Sequence, residues 1–247
     1  MNFKVSCKTD IGKKKANNED NYYFCEKKGL FIVADGMGGH AGGEVASDMA
    51  VKLISEEIEN ADISKFNVAD VIREAVAAAS EKIKNVSMEN DELRGMGTTL
   101  VSCLCHDEKV YVTNVGDARC YSYDGQKFEL LSHDHSQIQE YIDMDLINEA
   151  QAKVHPMRHV ITQAVGYNDE LKIRIVPRDY RVGDYYILCS DGLNDHFESD
   201  EELGGAFIKL LDASGGDLDK ICSDLIDMVN DRGGRDNITI LIFKILG

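Results

Sequence analysis

The chain has no tryptophan and only two prolines, and its seven cysteines form no Cys-x-x-Cys pair. The missing pair and the odd count argue against a zinc site or disulfides. The odd, scattered cysteines, with Cys103, Cys105 and Cys189 inside apolar runs, read instead as buried and reduced. Positive charge is also scarce, with 27 Lys and Arg against 44 Asp and Glu, a formal net charge of -17. Such a surface repels phosphate backbones, which excludes nucleic acid as a natural partner. No apolar run approaches the ~20 residues that a membrane span needs. Met1 to Lys8 holds no apolar stretch of signal-peptide length. The expectation is a cytoplasmic protein without a membrane partner.

What is present is an ordinary globular composition, 43% hydrophobic and 29% charged over 247 residues. No Gly/Ser linker or charged run divides it, and residues 1–247 are expected to form one domain. The centre of the pattern is Leu30 to Ala34, an apolar run that ends at Asp35 and the glycine turn Gly36-Met37-Gly38-Gly39-His40. A carboxylate at the mouth of a buried strand is held rigidly and still meets solvent. Glycines beside it let the backbone turn or approach a bound group.

Phe3 to Cys7 reads as a first strand, followed by three lysines ending at Lys15, and then Glu19-Asp20. Apolar periodicity predicts helices over Glu44 to Asn60 and over Val68 to Val86, the second capped by Asn67. Met88 to Arg94 reads as a loop. Leu100 to Cys105, Val110 to Val115, Cys120 to Tyr123 and Lys127 to Leu131 alternate with turn signals and predict antiparallel hairpins. His133 and His135, two residues apart, could ligate a metal but are more commonly surface groups. Ile138 to Arg158 is polar and irregular, a long excursion from the sheet. His159 to Val165 returns as an apolar segment, and Leu171 to Val176 reads as a strand. Tyr185 to Cys189 is a buried strand ending in Ser190-Asp191-Gly192, with Asp195 four residues on. Two helices, Asp200 to Leu211 and Leu218 to Asn230, precede Asp236-Asn237 and a final strand from Ile238 to Phe243.

Asp35, Asp117, Asp191 and Asp236 thus recur beside a glycine or asparagine at apolar strand ends. If the strands are neighbours, the acids converge, and converging carboxylates require cations. Without a His/Cys set, hard ions such as Mg²⁺ or Mn²⁺ suit them better than zinc. Two such ions bridged by a water generate hydroxide and stabilise in-line displacement at phosphorus. Four unrelated turn aspartates are the plain alternative.

The ordered set Asn18-Glu19-Asp20, Val33-Ala34-Asp35-Gly36-Met37-Gly38-Gly39-His40, Gly97-Thr98-Thr99, Gly116-Asp117-Ala118-Arg119, Asp134-His135-Ser136, Ser190-Asp191-Gly192 and Gly234-Arg235-Asp236-Asn237 resembles the metal-dependent protein phosphatase family of the 2C type, in its compact bacterial serine/threonine form. The resemblance spans essentially the whole chain. It implies an α+β fold, a four-layer αββα sandwich of two packed antiparallel sheets flanked by helices. It implies that Asp35, the Gly36 carbonyl, Asp191 and Asp236 hold two core Mn²⁺ or Mg²⁺ ions. Glu19 and Asp20 would act through metal-bound waters, and Asp117 with Asp191 and Asp195 would form a third metal site. Residues from about 136 to 158 match the flap beside the substrate cleft.

The implied reaction is attack of a metal-bridging hydroxide on phosphoserine or phosphothreonine, without a phosphoenzyme. His40 is the candidate general acid, with a metal-bound water as its competitor. The family usually places a phosphate-binding arginine five residues before Asp20; here that residue is Lys15, which keeps the charge but loses the planar fork. Gln163 likewise stands where an arginine is common. The expected partners are phosphoprotein substrates and an opposing Hanks-type serine/threonine kinase, with the chain itself a monomer. Two other readings are a non-catalytic metal-binding module and a hydrolase of small phosphoesters.

Overall fold

The computed structural model describes residues 2–38 and 42–247. Eleven strands and seven α-helices follow one another among these residues. In chain order the first are β1 (Phe3–Asp10), β2 (Asp20–Cys25), β3 (Leu30–Met37), α1 (Gly42–Asn60) and α2 (Val68–Glu89). Then come β4 (Gly97–Thr98), β5 (Leu100–His106), β6 (Lys109–Val115), β7 (Arg119–Tyr123) and β8 (Phe128–Leu130). The remainder is α3 (Gln137–Asp143), α4 (Glu149–Ala152), β9 (Arg174–Asp179), β10 (Tyr185–Cys189), α5 (Asp191–Asn194), α6 (Asp200–Ser214), α7 (Leu218–Asp231) and β11 (Ile238–Ile245).

One sheet runs β1-β11-β10-β7-β8; the other runs β2-β3-β5-β6-β9, with β4 added on β3, and every pairing is antiparallel. Their facing surfaces interleave. Phe31 of β3 stacks on Phe243 of β11 at 3.9 Å between ring centroids, with Phe3 edge-on to Phe31 at 5.2 Å. Val33, Val101, Cys103 and Val112 from one sheet meet Cys120, Leu188 and Leu241 from the other. Outside the sandwich, Ala46, Ala50, Ile54, Ile72, Val76 and Ile83 of α1 and α2 cover one sheet. Leu203, Phe207, Ile221, Leu225 and Val229 of α6 and α7 cover the other. These are the four layers αββα. The strands β3, β10 and β11 are buried along nearly their whole length, as strands covered on both faces must be.

The Asn67 cap is present. Its side chain accepts from the backbone N–H groups of Ala69 at 2.9 Å and Asp70 at 3.3 Å. Asn67→Ala is expected to cost about 1 kcal/mol. That corresponds to a thermal midpoint lower by about 2–4 °C, read by calorimetry.

Two segments differ from the sequence reading. The helix α2 runs on to Glu89, and Asp91–Leu93 form a 3-10 turn, so little of 88–94 is irregular. Its Ser87 hydroxyl holds the turn by donating to the Leu93 carbonyl at 3.0 Å. The strand expected over Leu171 to Val176 is displaced to Arg174–Asp179. Its partner β6 pairs only from Lys109 to Asn114, and Leu171 and Ile173 pack onto the helix-side core instead. Pro177 is tolerated because β9 is an edge strand.

Candidate metal centre and active site

The acids predicted from separate strand ends share one cleft of about 450 Å³. Asp35, Asp117, Asp191, Asp195, Asp236 and Glu19 all line it, with Gly36, Lys15, Arg158, His159 and Arg235. Asp35 comes from the end of β3 and Asp117 from the turn after β6. Asp191 and Asp195 lie in and after α5, and Asp236 lies on the approach to β11. Antiparallel pairing brings these ends to one edge of the sandwich.

Backbone contacts fix each acid. Asp35 is held by Thr98 and Thr99: the Thr99 hydroxyl accepts from the Asp35 N–H at 3.0 Å, and the Thr98 hydroxyl donates to the Asp35 carbonyl at 2.9 Å. This is the structural content of the Gly97-Thr98-Thr99 motif. Buried Asn237 clamps the far side. Its Oδ1 accepts from the Glu19 N–H at 2.9 Å, while its amide donates to the carbonyls of Ile11 at 3.0 Å and Asn17 at 2.9 Å. The loop carrying Lys15 and Glu19 is thereby tied beside Asp236. His196 ties Asp236 to Asp191. Its Nδ1 bonds the Gly192 carbonyl at 3.0 Å and its Nε2 accepts from the Arg235 N–H at 3.3 Å, the pattern of a neutral Nδ1–H ring. Glycine is required at Gly36 and Gly192. A Cβ there would lie 2.0 Å from the Gly43 carbonyl oxygen and 1.9 Å from that of Asn237, respectively.

The electrostatics are those of crowded carboxylates. Burial, then the charges of Asp20, Asp191, Asp117 and Asp236, push the Asp35 carboxyl well above its ordinary range. Burial, then Asp117, Asp195 and Asp236, do the same to Asp191. Asp117 is pushed up to about 7 by burial and the neighbouring Asp134 and Asp195. Glu19 is also raised, chiefly by burial. Lys15 answers part of this charge, its Nζ lying 2.6 Å from Asp236 Oδ1. Burial pulls its ammonium down, but Asp236, Asp35 and Asp191 more than reverse that and hold it above its usual value.

Asp20 does not reach the cleft lining. It is 5% exposed behind Asp35, its cross-strand partner, with Oδ2 accepting from the Ser190 hydroxyl at 2.7 Å. Burial raises its carboxyl to about 6. Asp20 Oδ1 and Asp191 Oδ1 are both buried without a hydrogen-bond partner in the protein. Orphaned oxygens among repelling carboxylates fit divalent cations, and carboxylate and carbonyl donors suit Mg²⁺ or Mn²⁺.

The sequence reading missed His159. Its ring, Asp191 and Asp195 offer ligand atoms that all lie within 4.8 Å of one another. His159 Nδ1 is 3.2 Å from Asp195 Oδ2. Asp117 lines the same cleft alongside this group. The grouping offers one imidazole and two carboxylates as donors. Nothing local in 159–165 signals this role; the segment forms only single bridges, Ser136 to Ile161 and Thr98 to Val165. His133 and His135 do not come together as ligands. His133 Nε2 pairs with Asp143 at 2.8 Å, and His135 Nδ1 accepts from the Gly116 N–H at 3.3 Å. His40, the expected general acid, lies outside the described residues. Gln163 Oε1 accepts from the Lys172 N–H at 3.0 Å.

The family described as protein phosphatase 2C matches residues 11–225. A serine/threonine phosphatase of Listeria monocytogenes is 31% identical over 242 residues, covering 96% of this chain and 94% of that protein. The serine/threonine phosphatase PstP/Ppp of Mycobacterium tuberculosis superposes with a TM-score of 0.90 at 29% identity, covering all of both chains. A PstP catalytic domain solved with two manganese ions superposes at 0.85, with 28% identity over 99% of each chain. Sequence and fold agree along nearly the full length of each comparison, and this chain belongs to the protein phosphatase 2C family.

Proposed function

We propose that the chain hydrolyses phosphoserine and phosphothreonine in proteins, opposing a serine/threonine kinase, with Asp35, the Gly36 carbonyl, Asp191 and Asp236 holding two core Mn²⁺ or Mg²⁺ ions. The observation that carries this is the convergence of five aspartates on one cleft, with the Asp191 Oδ1 buried and unpartnered. Bound there, such ions supply a hydroxide nucleophile at neutral pH and neutralise the phosphoryl oxygens. Glu19 and Asp20 stand behind them as acceptors for ordered waters. Asp195 and Asp117, with His159, form a third, weaker cation position. Residues 1–247 act as one catalytic domain, with 136–158 as the flap beside the cleft. In the described residues no helix is long and apolar enough to cross a membrane.

Lys15 is the substrate-phosphate cation. Its charge faces the cleft from a loop anchored by Asn237. A charge-assisted hydrogen bond is worth roughly 1.5–3 kcal/mol. Lys15→Ala is therefore expected to raise KM for a phosphopeptide about tenfold or more, and Lys15→Arg to restore it. An unchanged KM in the alanine variant removes this role.

The overall test is hydrolysis of a phosphothreonine peptide with manganese, magnesium or a chelator. Turnover that requires the divalent ion is expected. Turnover indifferent to chelation overturns the reading.

A further inference from the structure

The loop that leads to Lys15 is held by a side-chain pair outside the acid cleft. β1 ends at Asp10, and neither Asp10 nor Asn230 lines the cleft. Asp10 Oδ1 accepts from the Gly12 N–H at 2.8 Å and from the Asn230 amide Nδ2 at 3.1 Å. Asn230 lies in the last turn of α7, just before the Gly233–Asp236 stretch that delivers Asp236. The Lys13 N–H joins the same stretch, donating to the Gly234 carbonyl at 2.7 Å. Contact there is close. At Gly12, with φ at +74°, a Cβ would lie 2.2 Å from the Asp236 carbonyl oxygen, and at Gly234, with φ at +49°, one would lie 2.3 Å from Asn230 Oδ1. The loop that carries Lys15 and the loop that carries Asp236 thus meet backbone to backbone beside the Asp10–Asn230 bond.

Asn230 Oδ1 is buried without a hydrogen-bond partner. An orphaned acceptor is destabilising, and an apolar side chain would avoid it. Asp10 sets the orientation, because turning the amide over would face two acceptors against each other. Asn230 therefore forgoes one bond in making the other.

We infer that Asp10 and Asn230 are positioning residues that aim Lys15 at the substrate phosphate by fixing its loop against the Asp236 loop. This rests on the Lys15 assignment and deepens it. An ammonium on a flexible stem has no planar fork to fix its approach, so its aim depends on where the backbone sets its Cα. Residues 13–17 are exposed, and packing does little to place them. Asn237 holds the loop at Ile11 and Asn17. The Asp10–Asn230 pair and the Gly234 carbonyl fix the turn between those points.

The test is hydrolysis of a phosphothreonine peptide at saturating manganese by Asp10→Ala, Asp10→Asn, Asn230→Ala, Lys15→Ala and the double variant Asp10→Ala with Lys15→Ala. The Mn²⁺ affinity of each is titrated by calorimetry. Asp10→Ala and Asn230→Ala are expected to raise KM about fivefold, short of deleting the lysine's charge-assisted bond, and to change kcat less than about twofold. Asp10→Asn keeps an Oδ1 for both donors and is expected to bring KM back to within about twofold of the parent. The double variant is expected to match Lys15→Ala alone, because no lysine remains to be misplaced. Where Asp10→Ala does not fold, Asn230→Ala, at a half-buried position, carries the comparison. Unchanged KM in the alanine variants overturns the positioning role, as does a rise that multiplies in full with that of Lys15→Ala. A loss of Mn²⁺ affinity at unchanged KM also overturns it, and places the pair behind Asp236 instead. Lys15→Ala alone keeps the two levels apart. Unchanged KM there removes the substrate-cation reading and the positioning role with it, whereas a raised KM there beside unaltered Asp10 and Asn230 variants removes the positioning role only. No hydrolysis by the wild type removes the phosphatase reading as well.

Discussion

Asp191→Ala is expected to lower kcat/KM on a phosphothreonine peptide by about a thousandfold or more, while the metal-free variant melts no lower than its parent. Asp191 belongs both to the core acids and to the grouping with His159 and Asp195. On the proposed assignment its removal takes a ligand from the core pair and from the third position together. Losing one preorganised electrostatic contact to a transition state commonly costs 10²–10³ in rate, and losing an ion costs more. The stability half of the prediction separates this site from ordinary packing. Truncating a buried core residue such as Leu188 leaves a cavity and costs roughly 2–5 kcal/mol. Asp191 is instead pressed by burial and by Asp117, Asp195, Asp236 and Asp20. Deleting it relieves like-charge repulsion, the trade of stability for function seen at active sites. Asp191→Asn is the shape-preserving control. A variant that keeps its turnover would remove Asp191 from the ligand set, and one that melts far below the parent while losing turnover would show that Asp191 has a structural role instead.

Much of this site is legible in the chain because its signals are local. An apolar run ending in Asp-Gly marks where a buried strand meets solvent, and this pattern located Asp35 and Asp191. The apolar stripes of α1 and α2 mark two of the helices, since burial on one face imposes a 3.6-residue period, while the layered arrangement is legible only through the family resemblance. Residues whose role depends on a distant partner were not legible. Nothing near Asn237 announces that its side chain clamps Ile11 and Asn17, more than two hundred positions away. His159 meets Asp195 only through the fold, from a segment with no periodicity of its own. Asp20 looked equivalent to Glu19 beside it. Asp20 opens β2 and is buried against β3, while Glu19, the last residue of the preceding loop, lines the cleft. The displacement of β9 has the same origin: pairing with β6 fixed its register, and its own apolar residues went to the helix-side core.

Adding Mn²⁺ to the chelated protein is expected to raise its thermal midpoint, and to do so more at pH 7.5 than at pH 5.5. In the metal-free protein Asp20 and Asp117 keep their protons up to about pH 6 and about pH 7. An unfolded chain releases its carboxyl protons near pH 4. Between those values the folded state binds more protons than the unfolded one, and by linkage its stability falls as pH rises through that window. Stabilisation from holding these acids neutral is full below about pH 4 and is gone above about pH 7. Divalent cations act in the opposite sense, because they bind the ionised groups and must displace protons at the lower pH. At a hundredfold excess over its dissociation constant a ligand adds about 2.7 kcal/mol. For a chain of this size that is roughly 5–10 °C at pH 7.5, and less than half of it is expected at pH 5.5. Non-specific screening is the rival explanation, given a net charge of -17. Potassium chloride at matched ionic strength separates the two, since screening is indifferent to which cation supplies it. An equal rise with potassium, or a manganese effect that does not change with pH, would disconnect the acid cluster from metal binding. The predicted pattern, specific to the divalent ion and steepest near neutrality, follows only if the strained carboxylates are the ligands.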